Sequence, residues 1–255
     1  MKTTTDNFFV RNKGLLSQED QIKLNETCVF IAGAGGDGGL LAERLVRFGL
    51  GKIILADPEV FEENNINRQF AASVSSLSRN KALVVSEELK KINPDLIVET
   101  YTEGLTETNV EKIVSTADLI VDEIEFTLPR ISVLLHRECR RQGKHIFMGA
   151  NIGWGASIFC FSPQGQSFEE MFEFNELNGT INPAKYMKQQ PEYISNELLY
   201  DILESNESVP ALSCSVGIVA GMVSAEIVLH LTGKRSPVIA PEFISFDMYN
   251  LLLQK

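Results

Sequence analysis

The run GAGGDGG, residues 33–39, is the first stretch whose residue types could do chemistry. It follows a short apolar run and precedes a helical pattern. Such turns bind phosphate because bare backbone amides and a helix N-terminus can approach a polyanion closely. The turn alone leaves two ligands open, the pyrophosphate of a dinucleotide such as NAD and the triphosphate of ATP. The glycines expected to lie along the nucleotide are Gly33, Gly35, Gly36 and Gly38.

Asp57 lies 24 positions after Gly33, at the end of the next apolar run. A carboxylate at this place in an α/β unit accepts hydrogen bonds from a ribose. NAD enzymes and some ATP enzymes share the feature. Asp57 therefore predicts a bound nucleotide without distinguishing the two.

The segment EENNINRQF, residues 62–70, and the later Lys81 do distinguish them. A dinucleotide already has its pyrophosphate at the helix terminus, whereas a triphosphate carries more charge, spread farther from the ribose. The Arg68 fork and the Lys81 point charge suit those outer phosphates. These residues favour ATP. The alternative is that both are solvated surface cations.

The bulk composition limits the class of protein. The chain has 255 residues, of which 44% are apolar, and a net charge of -11, which disfavours a nucleic-acid partner. The first residues have no apolar signal core, and the apolar stretch 209–231 is broken by polar residues. We expect that stretch to be a buried helix and the protein to be cytoplasmic, without a membrane partner.

The four cysteines are scattered, and no CxxC pair exists in the sequence. Zinc sites built from cysteine need such pairs, so we expect no zinc. All four have apolar neighbours, which predicts buried, inert thiols. They are Cys28, Cys139, Cys160 and Cys214.

Alternating strands and helices must position these residues. This alternation runs through residue 148 and predicts a mostly parallel sheet with helices on both faces. Ligands in such sheets bind beyond the carboxyl ends of the strands, where Gly33, Asp57 and Asp122 fall. The predicted strands are 28–32, 52–56, 96–101, 119–121 and 145–148, and the predicted helices are 17–25, 36–48, 77–92, 107–115 and 129–142.

The pattern changes after residue 148. Residues 154–163 follow a strand without a long helix between them, which predicts an antiparallel strand. Residues 164–208 are polar and acidic without a clear period, and we interpret them as an excursion with short helices. A buried helix over 211–231 and a short strand within 241–250 complete the chain.

The motifs GAGGDGG, ADPEVFEENNINRQF, SRNKA, INP and VD occur in an order that resembles the ThiF/MoeB/HesA family of ubiquitin-activating-enzyme-like adenylyltransferases. The resemblance covers about residues 11–162, with a weaker echo in 210–247. It implies a single Rossmann-like adenylation domain, extended by antiparallel strands in its C-terminal part. The implied parts of residues 1–255 are an arm and helix (1–27), a nucleotide-binding half (28–150) and an extension (151–255) that holds the crossover segment 164–208 and the buried helix 211–231.

The resemblance implies that ATP adenylylates the C-terminal carboxylate of a small ubiquitin-fold protein and that pyrophosphate is released. Asp57 would hold the ribose. The residues that would contact the phosphates are Asn65, Arg68 and Lys81. Sulfur-carrier proteins, peptides and small carboxylates are all substrates of related proteins, and the choice among them stays open.

The resemblance also implies a metal site and a partner chain. Asp122 would lie beside the nucleotide. The family's Mg²⁺-binding Asp comes three residues later, where this chain has Glu125, so Asp122 and Glu125 are the implied Mg²⁺ ligands. Family members commonly form homodimers in which an N-terminal Arg reaches the partner's phosphates, and Arg11 would take this part here. Asp37 departs from the family, which usually has an apolar residue in the glycine turn.

Other functions remain open at this point. Glu125 and Asp37 would also fit a nucleotide-binding partner or sensor without turnover. An NAD(P)-dependent oxidoreductase lacks a catalytic constellation, because His136 and His145 lie on a predicted helix and strand. Cys214 is the best of four poor candidates for a thioester cysteine, so we favour transfer from the adenylate to an external nucleophile.

Overall fold

The structure, a computed structural model, describes residues 8–198 and 209–255. The ends of the predicted arm and crossover segment, 1–7 and 199–208, lie outside these residues. The α-helices are α1 (Gln18–Glu26), α2 (Gly36–Phe48), α3 (Lys81–Ile92), α4 (Val110–Thr116), α5 (Pro129–Arg141), α6 (Phe168–Met171) and α7 (Ser213–Leu231). The strands are β1 (Cys28–Ala32), β2 (Lys52–Ala56), β3 (Ile97–Tyr101), β4 (Leu119–Asp122), β5 (Ile146–Ile152), β6 (Gly155–Phe161), β7 (Ile244–Asp247) and β8 (Leu252–Gln254).

The eight strands form one mixed sheet in the order β3-β2-β1-β4-β5-β6-β7-β8. Strands β1 to β5 pair in parallel, and β6, β7 and β8 are added antiparallel. This confirms the predicted fold class. The chain leaves β1 toward β2 on one side and later returns to β4 on the other, and such a switch point opens a crevice at the carboxyl ends of the strands.

Helices cover both faces of the sheet. One core cluster joins α2, α3 and α7 to the sheet and includes Leu45, Leu89 and Val223. The other joins α4 and α5 to the opposite face and includes Ile113 and Leu135. Because each β-strand exposes alternate residues to the two faces, both clusters draw on the same central strands.

Helix α7 is the long apolar helix predicted from the sequence. By length and composition it could span a membrane, and half of its most apolar window is buried. In the fold it packs against α2, β5 and β6. Val219, Ala220 and Ile227 are completely buried there, as expected for a core helix.

Local signals explain several of the helix ends. Ser17 and Asp20 form a reciprocal capping box at the start of α1, and Gly49 ends α2 in the left-handed conformation. The prediction that α3 begins at residue 77 is wrong. Asn80 caps the helix through the amide of Leu83. Strand β8 was not predicted.

Candidate active site

A cleft of about 620 Å³ opens at the carboxyl ends of the parallel strands. The glycine turn after β1, the loop after β2, the end of β4 and the end of β5 all contribute to its wall. Pro183 and Tyr186, from the predicted crossover segment, line it as well. This is the place where the strand order predicts a ligand.

The four glycines predicted to bind the nucleotide have two different roles. Gly33 has φ of +98°, and a Cβ there would collide with the carbonyl oxygen of Glu123. A Cβ on Gly38 would collide with the carbonyl oxygen of Gly33. These two glycines close the turn, because no larger residue fits. Gly35 and Gly36 line the cleft at the N-terminus of α2.

Asp57 holds the glycine turn in place. It is 5% exposed, and its carboxylate accepts hydrogen bonds from the backbone N–H groups of Ala34 at 2.7 Å and Glu59 at 2.8 Å. Burial raises the pKa of Asp57, and these two amides oppose the rise. Asp57 lies behind the cleft wall, so its contact with a ribose stays a prediction. Glu59, two residues later, lines the cleft.

Both predicted cations line the cleft. Lys81 is 5% exposed, which overturns the alternative of a solvated surface cation for this residue. Its Nζ donates to Glu59 Oε2 at 2.6 Å, and the Glu59 side chain is itself 54% exposed. Arg68 is half-buried, and its Nη1 donates to the carbonyl of Asn64 at 2.9 Å and to the side chain of Asn67 at 2.8 Å. We call Arg68 and Lys81 the cationic end of the cleft.

Asn65 lines the cleft and is 6% exposed. Its Oδ1 accepts from the backbone of Glu62 at 3.0 Å, and its Nδ2 donates to Asn64 at 2.6 Å. These bonds shape the short 3-10 turn Glu63–Asn65, which precedes Arg68. The predicted phosphate contact of Asn65 is not tested by this arrangement.

Asp122 does not line the cleft. It is 1% exposed, one carboxylate oxygen lies 3.1 Å from His136 Nε2, and the other accepts from the N–H of Ile124 at 3.0 Å. Successive residues of a strand point to opposite faces, so Glu123 faces the cleft instead. The predicted contact of Asp122 with the nucleotide finds no support in this placement, and the sequence pattern could not tell which of the two neighbours faces inward.

Two carboxyl groups, Asp37 and Glu123, form the acidic end of the cleft, and a third, Glu125, lies near both that end and the cations. Asp37 accepts from Asn151 Nδ2 at 2.6 Å, and Glu123 accepts from the N–H of Gly149 at 3.1 Å. Burial raises the pKa of all three carboxyl groups, and it raises that of Asp37 to about 7. The charges of Lys81 and Arg68 lower the pKa of Glu125 in part. Sequence analysis did not single out Glu123 or Asn151.

The two implied Mg²⁺ ligands do not come together. Both oxygens of Asp122 are already engaged, and no three His, Cys, Asp or Glu side chains are grouped as metal ligands in residues 8–198 and 209–255. Glu125 alone fits, because it lines the cleft beside the cations and Mg²⁺ commonly takes one or two carboxylates plus substrate phosphates. The absence of zinc stays a prediction.

Two other expectations concern residues outside the cleft. Arg11 is exposed, and its neighbour Asn12 donates to the carbonyl of Phe48 at the C-terminal end of α2. A helix of this length separates its two ends by about 20 Å, so Arg11 is remote from the glycine turn of its own chain. Cys214 is exposed at the start of α7, which corrects the expectation that all four thiols are buried.

Comparisons with known proteins agree with the motifs. A family model described as the ThiF family matches residues 9–255. The adenylyltransferase and sulfurtransferase UBA4 of Candida albicans is 30% identical over 180 residues, covering 66% of this chain and 40% of that protein. The SAMP-activating enzyme E1 of Haloferax volcanii is 27% identical over 163 residues, covering 64% of this chain and 60% of that protein.

Solved structures show the same fold. E. coli MccB with MccA-N7isoASN has a TM-score of 0.70 and 20% identity, covering 92% of this chain and 65% of that chain. E. coli MccB with ATP has a TM-score of 0.69 and 19% identity, covering 92% and 64%. The chain thus spans less than two thirds of the length of each of these relatives.

Proposed function

The chain belongs to the ThiF family, and we propose that it is an ATP-dependent adenylyltransferase that activates a carboxylate and releases pyrophosphate. The observation that carries this proposal is the convergence of three positive features on one cleft. These are the N-terminus of α2 behind the glycine turn, the Arg68 guanidinium and the buried Lys81 ammonium. A triphosphate needs all three, whereas the pyrophosphate of a dinucleotide is served by the helix terminus alone.

The cationic end lowers the barrier by electrostatics and positioning. A carboxylate that attacks the α-phosphorus meets the negative charge of the triphosphate. Arg68 and Lys81 reduce this repulsion and stabilise the charge that develops on the leaving pyrophosphate. Lys81 must exchange Glu59 for phosphate, and the exposed Glu59 side chain has room to move aside. Mg²⁺ bound to the nucleotide would add positive charge there, with Glu125 as its protein ligand.

The end of β5 and the crossover segment would receive the substrate. Ala150, Ile152, Pro183 and Tyr186 contribute an apolar part of the cleft wall. One relative is a SAMP-activating enzyme, and another is MccB in complex with MccA-N7isoASN. We propose for this chain the C-terminus of a ubiquitin-like or sulfur-carrier protein, or of a peptide, in the cytoplasm.

We further propose a homodimer in which Arg11 contributes to the partner's cleft. Two observations support this: Arg11 is far from the cleft of its own chain, and it is an exposed cation of the kind that binds phosphate. Arg11 is an exposed cation that lies beside the far end of α2, so it cannot reach the phosphates of its own cleft. A second copy would bring it there if the two-fold axis sets the end of α2 against the partner's cleft.

Calorimetry followed by pyrophosphate exchange tests the proposed activity. We expect ATP–Mg²⁺ to bind and NAD and NADP not to bind, and exchange to require a carboxylate substrate. Binding of NAD without binding of ATP would overturn the proposal. ATP binding without exchange across ubiquitin-fold proteins, peptides and small carboxylates would instead favour the nucleotide sensor, which Asp37 and Glu125 motivate.

A further inference from the structure

The acidic end of the cleft contains hydrogen-bond acceptors that no protein group satisfies. Asp37 Oδ1 and Gln69 Oε1 are both buried, and neither has a hydrogen-bond partner within the described residues. Gln69 is 6% exposed as a whole residue. Both side chains line the cleft, and the Gln69 amide packs against Gly35, two positions before Asp37. A buried acceptor without a donor is unfavourable, so these atoms select a ligand that donates hydrogen bonds.

The charges around these acceptors have the same sign. The charges that act on Glu123 are those of Asp37 and Asp122, and Glu125 acts in the same direction on Asp37. Arg68 is the cation that offsets part of this repulsion at Asp37. A positively charged ligand would relieve the repulsion and satisfy the free acceptors together.

We propose that Asp37, Glu123 and Gln69 form a subsite for an ammonium or guanidinium group on the residue whose carboxylate is adenylylated. This inference rests on the proposed function, because it needs the carboxylate to meet the α-phosphate at the glycine turn. Asp37 is the second residue of α2, so it lies beside that turn. The substrate class is therefore a peptide or protein whose terminal residue has a basic side chain.

Two simpler roles for Asp37, stabilising the helix dipole and binding a metal ion, explain fewer of its contacts. An acid in the first turn of a helix stabilises the helix dipole, but that effect needs neither burial nor the bond to Asn151. A metal ion would also use carboxylates, but Mg²⁺ that arrives with the nucleotide is served by Glu125 beside the cations, with phosphates as its other ligands. Each N–H donor of an organic cation needs an oxygen acceptor, and the unpaired Asp37 Oδ1 and Gln69 Oε1 are two such acceptors.

Two matched peptides test the subsite, acetyl-Ala-Gly-Arg and acetyl-Ala-Gly-citrulline. Citrulline keeps the shape of arginine and removes its charge. The full chain is first saturated with a non-hydrolysable ATP analogue, and calorimetry then measures the affinity for each peptide. We expect the arginine peptide to bind about tenfold more tightly, the scale of one charge-assisted contact. Equal affinity of the two peptides, or binding of neither, would overturn the inference.

Two variants and one control locate the discrimination. D37N keeps an acceptor for Asn151 and removes the charge. We expect this variant to bind the arginine and citrulline peptides with the same affinity. E123Q should weaken the discrimination in the same direction and serves as the second variant if D37N does not fold. Asp95 is an exposed acid just before β3, at the opposite edge of the sheet from the cleft, so D95N should discriminate as the wild type does.

The outcomes separate this inference from the proposed function. Binding of the ATP analogue together with equal binding of the peptides would leave the adenylyltransferase intact and remove the cation subsite. Failure of the ATP analogue itself to bind would remove the proposed function. Competition of Mg²⁺ with the arginine peptide, measured without nucleotide, would identify the acidic end as a metal site and overturn the inference.

Discussion

The cationic end and the acidic end of the cleft differ in how the chain builds them. Arg68 and Lys81 both come from the segment that joins β2 to α3: Arg68 follows the 3-10 turn Glu63–Asn65, and Lys81 is the first residue of α3. Asp37, Glu123 and Asn151 come from three separate places in the sequence, and the bond between Asp37 and Asn151 joins residues 114 positions apart. The cationic end is therefore a local motif, whereas the acidic end forms only when the sheet brings distant segments together.

This difference separates two tasks within one site. The cationic end suits any triphosphate, so it is the part that a family of related activities can share. The acidic end combines Asp37, which departs from the apolar residue usual in the family, with Glu123 and the end of β5. We infer that the nucleotide is bound by the local motif and that the substrate is chosen by the long-range one.

A methyl group on Gly33 should displace the acidic end, because Gly33 packs against the backbone of Glu123. Gly33→Ala places a Cβ against the Glu123 carbonyl at a positive φ of +98°. Gly14 has the same φ of +98° and open space around it, so Gly14→Ala is the matched control. We expect Gly14→Ala to lose about 1–2 kcal/mol of unfolding free energy from backbone conformation, and Gly33→Ala to lose about 1–3 kcal/mol more from overpacking. Urea denaturation measures both, and equal losses would contradict the close approach.

Removing a cation should affect the nucleotide and leave the fold intact. Lys81→Met keeps most of the side-chain volume, removes the buried charge and leaves Glu59 without its partner. We expect ATP affinity to fall by about 1–3 kcal/mol, the usual scale for charge-assisted contacts. Lys90→Met, an exposed lysine on the same helix α3, is the control. Calorimetry that finds both variants binding ATP as the wild type does would exclude Lys81 as a phosphate ligand.

The sequence predicts the cationic end well because its information is local. The glycine turn, the strand that ends before Asp57 and the cations that follow are each recognisable from a few neighbouring residues. The β1, α2 and β2 boundaries agree with the structure because buried strands and glycine helix ends have strong local patterns. The antiparallel β6 was also predictable, since no crossover helix separates it from β5.

The sequence predicts the acidic end poorly for a physical reason. Adjacent residues at a strand end point in opposite directions, and only packing decides that Asp122 meets His136 while Glu123 enters the cleft. Asn151 belongs to the extension of β5 beyond the predicted strand, so its approach to Asp37 depends on strand pairing between distant segments. The family resemblance assigned Asp122, and the local pattern could not show that Asp122 points away from the cleft.

The proposed sharing of Arg11 extends the comparison to a second copy of the chain. Arg11→Ala should reduce activity about tenfold if Arg11 makes one charge-assisted contact with phosphate. Mixed with Lys81→Met chains, whose ATP binding is weakened, it should form heterodimers in which one cleft carries both changes and the other carries neither. Random exchange makes about half of the dimers mixed, so about a quarter of all clefts should be intact.

Pyrophosphate exchange after mixing measures this recovery. Activity of the mixture above the average of the two separate variants would support sharing between subunits. Mass spectrometry of differently labelled chains must show that exchange has occurred. No gain over that average in an exchanged sample would place Arg11 outside the partner's cleft, and a monomeric protein in light scattering would exclude the arrangement altogether.

The smallest effect that we expect is a pH dependence of stability from the acidic end. Burial raises the pKa of Asp37 from 3.8 to about 7. Between these two values the folded protein keeps a proton that the unfolded chain releases. Raising the pH through this window therefore favours unfolding, and the loss is complete once the pH exceeds the folded pKa. Asp37→Asn keeps the bond to Asn151 and has no charge to bury.

We therefore expect Asp37→Asn to melt at a higher temperature than the wild type at pH 8, with the difference shrinking as the pH is lowered toward 4. The Asp37 charge also contributes to the raised pKa of Glu123, so the difference between the two proteins reports on Asp37 together with its effect on Glu123. Asp95→Asn should follow the wild type at every pH, because Asp95 is exposed. A difference that stays constant from pH 4 to pH 8 would show that Asp37 is not buried as a carboxyl group. The acidic end would then be as solvated as the protein surface, and the contrast with the buried Lys81 would disappear.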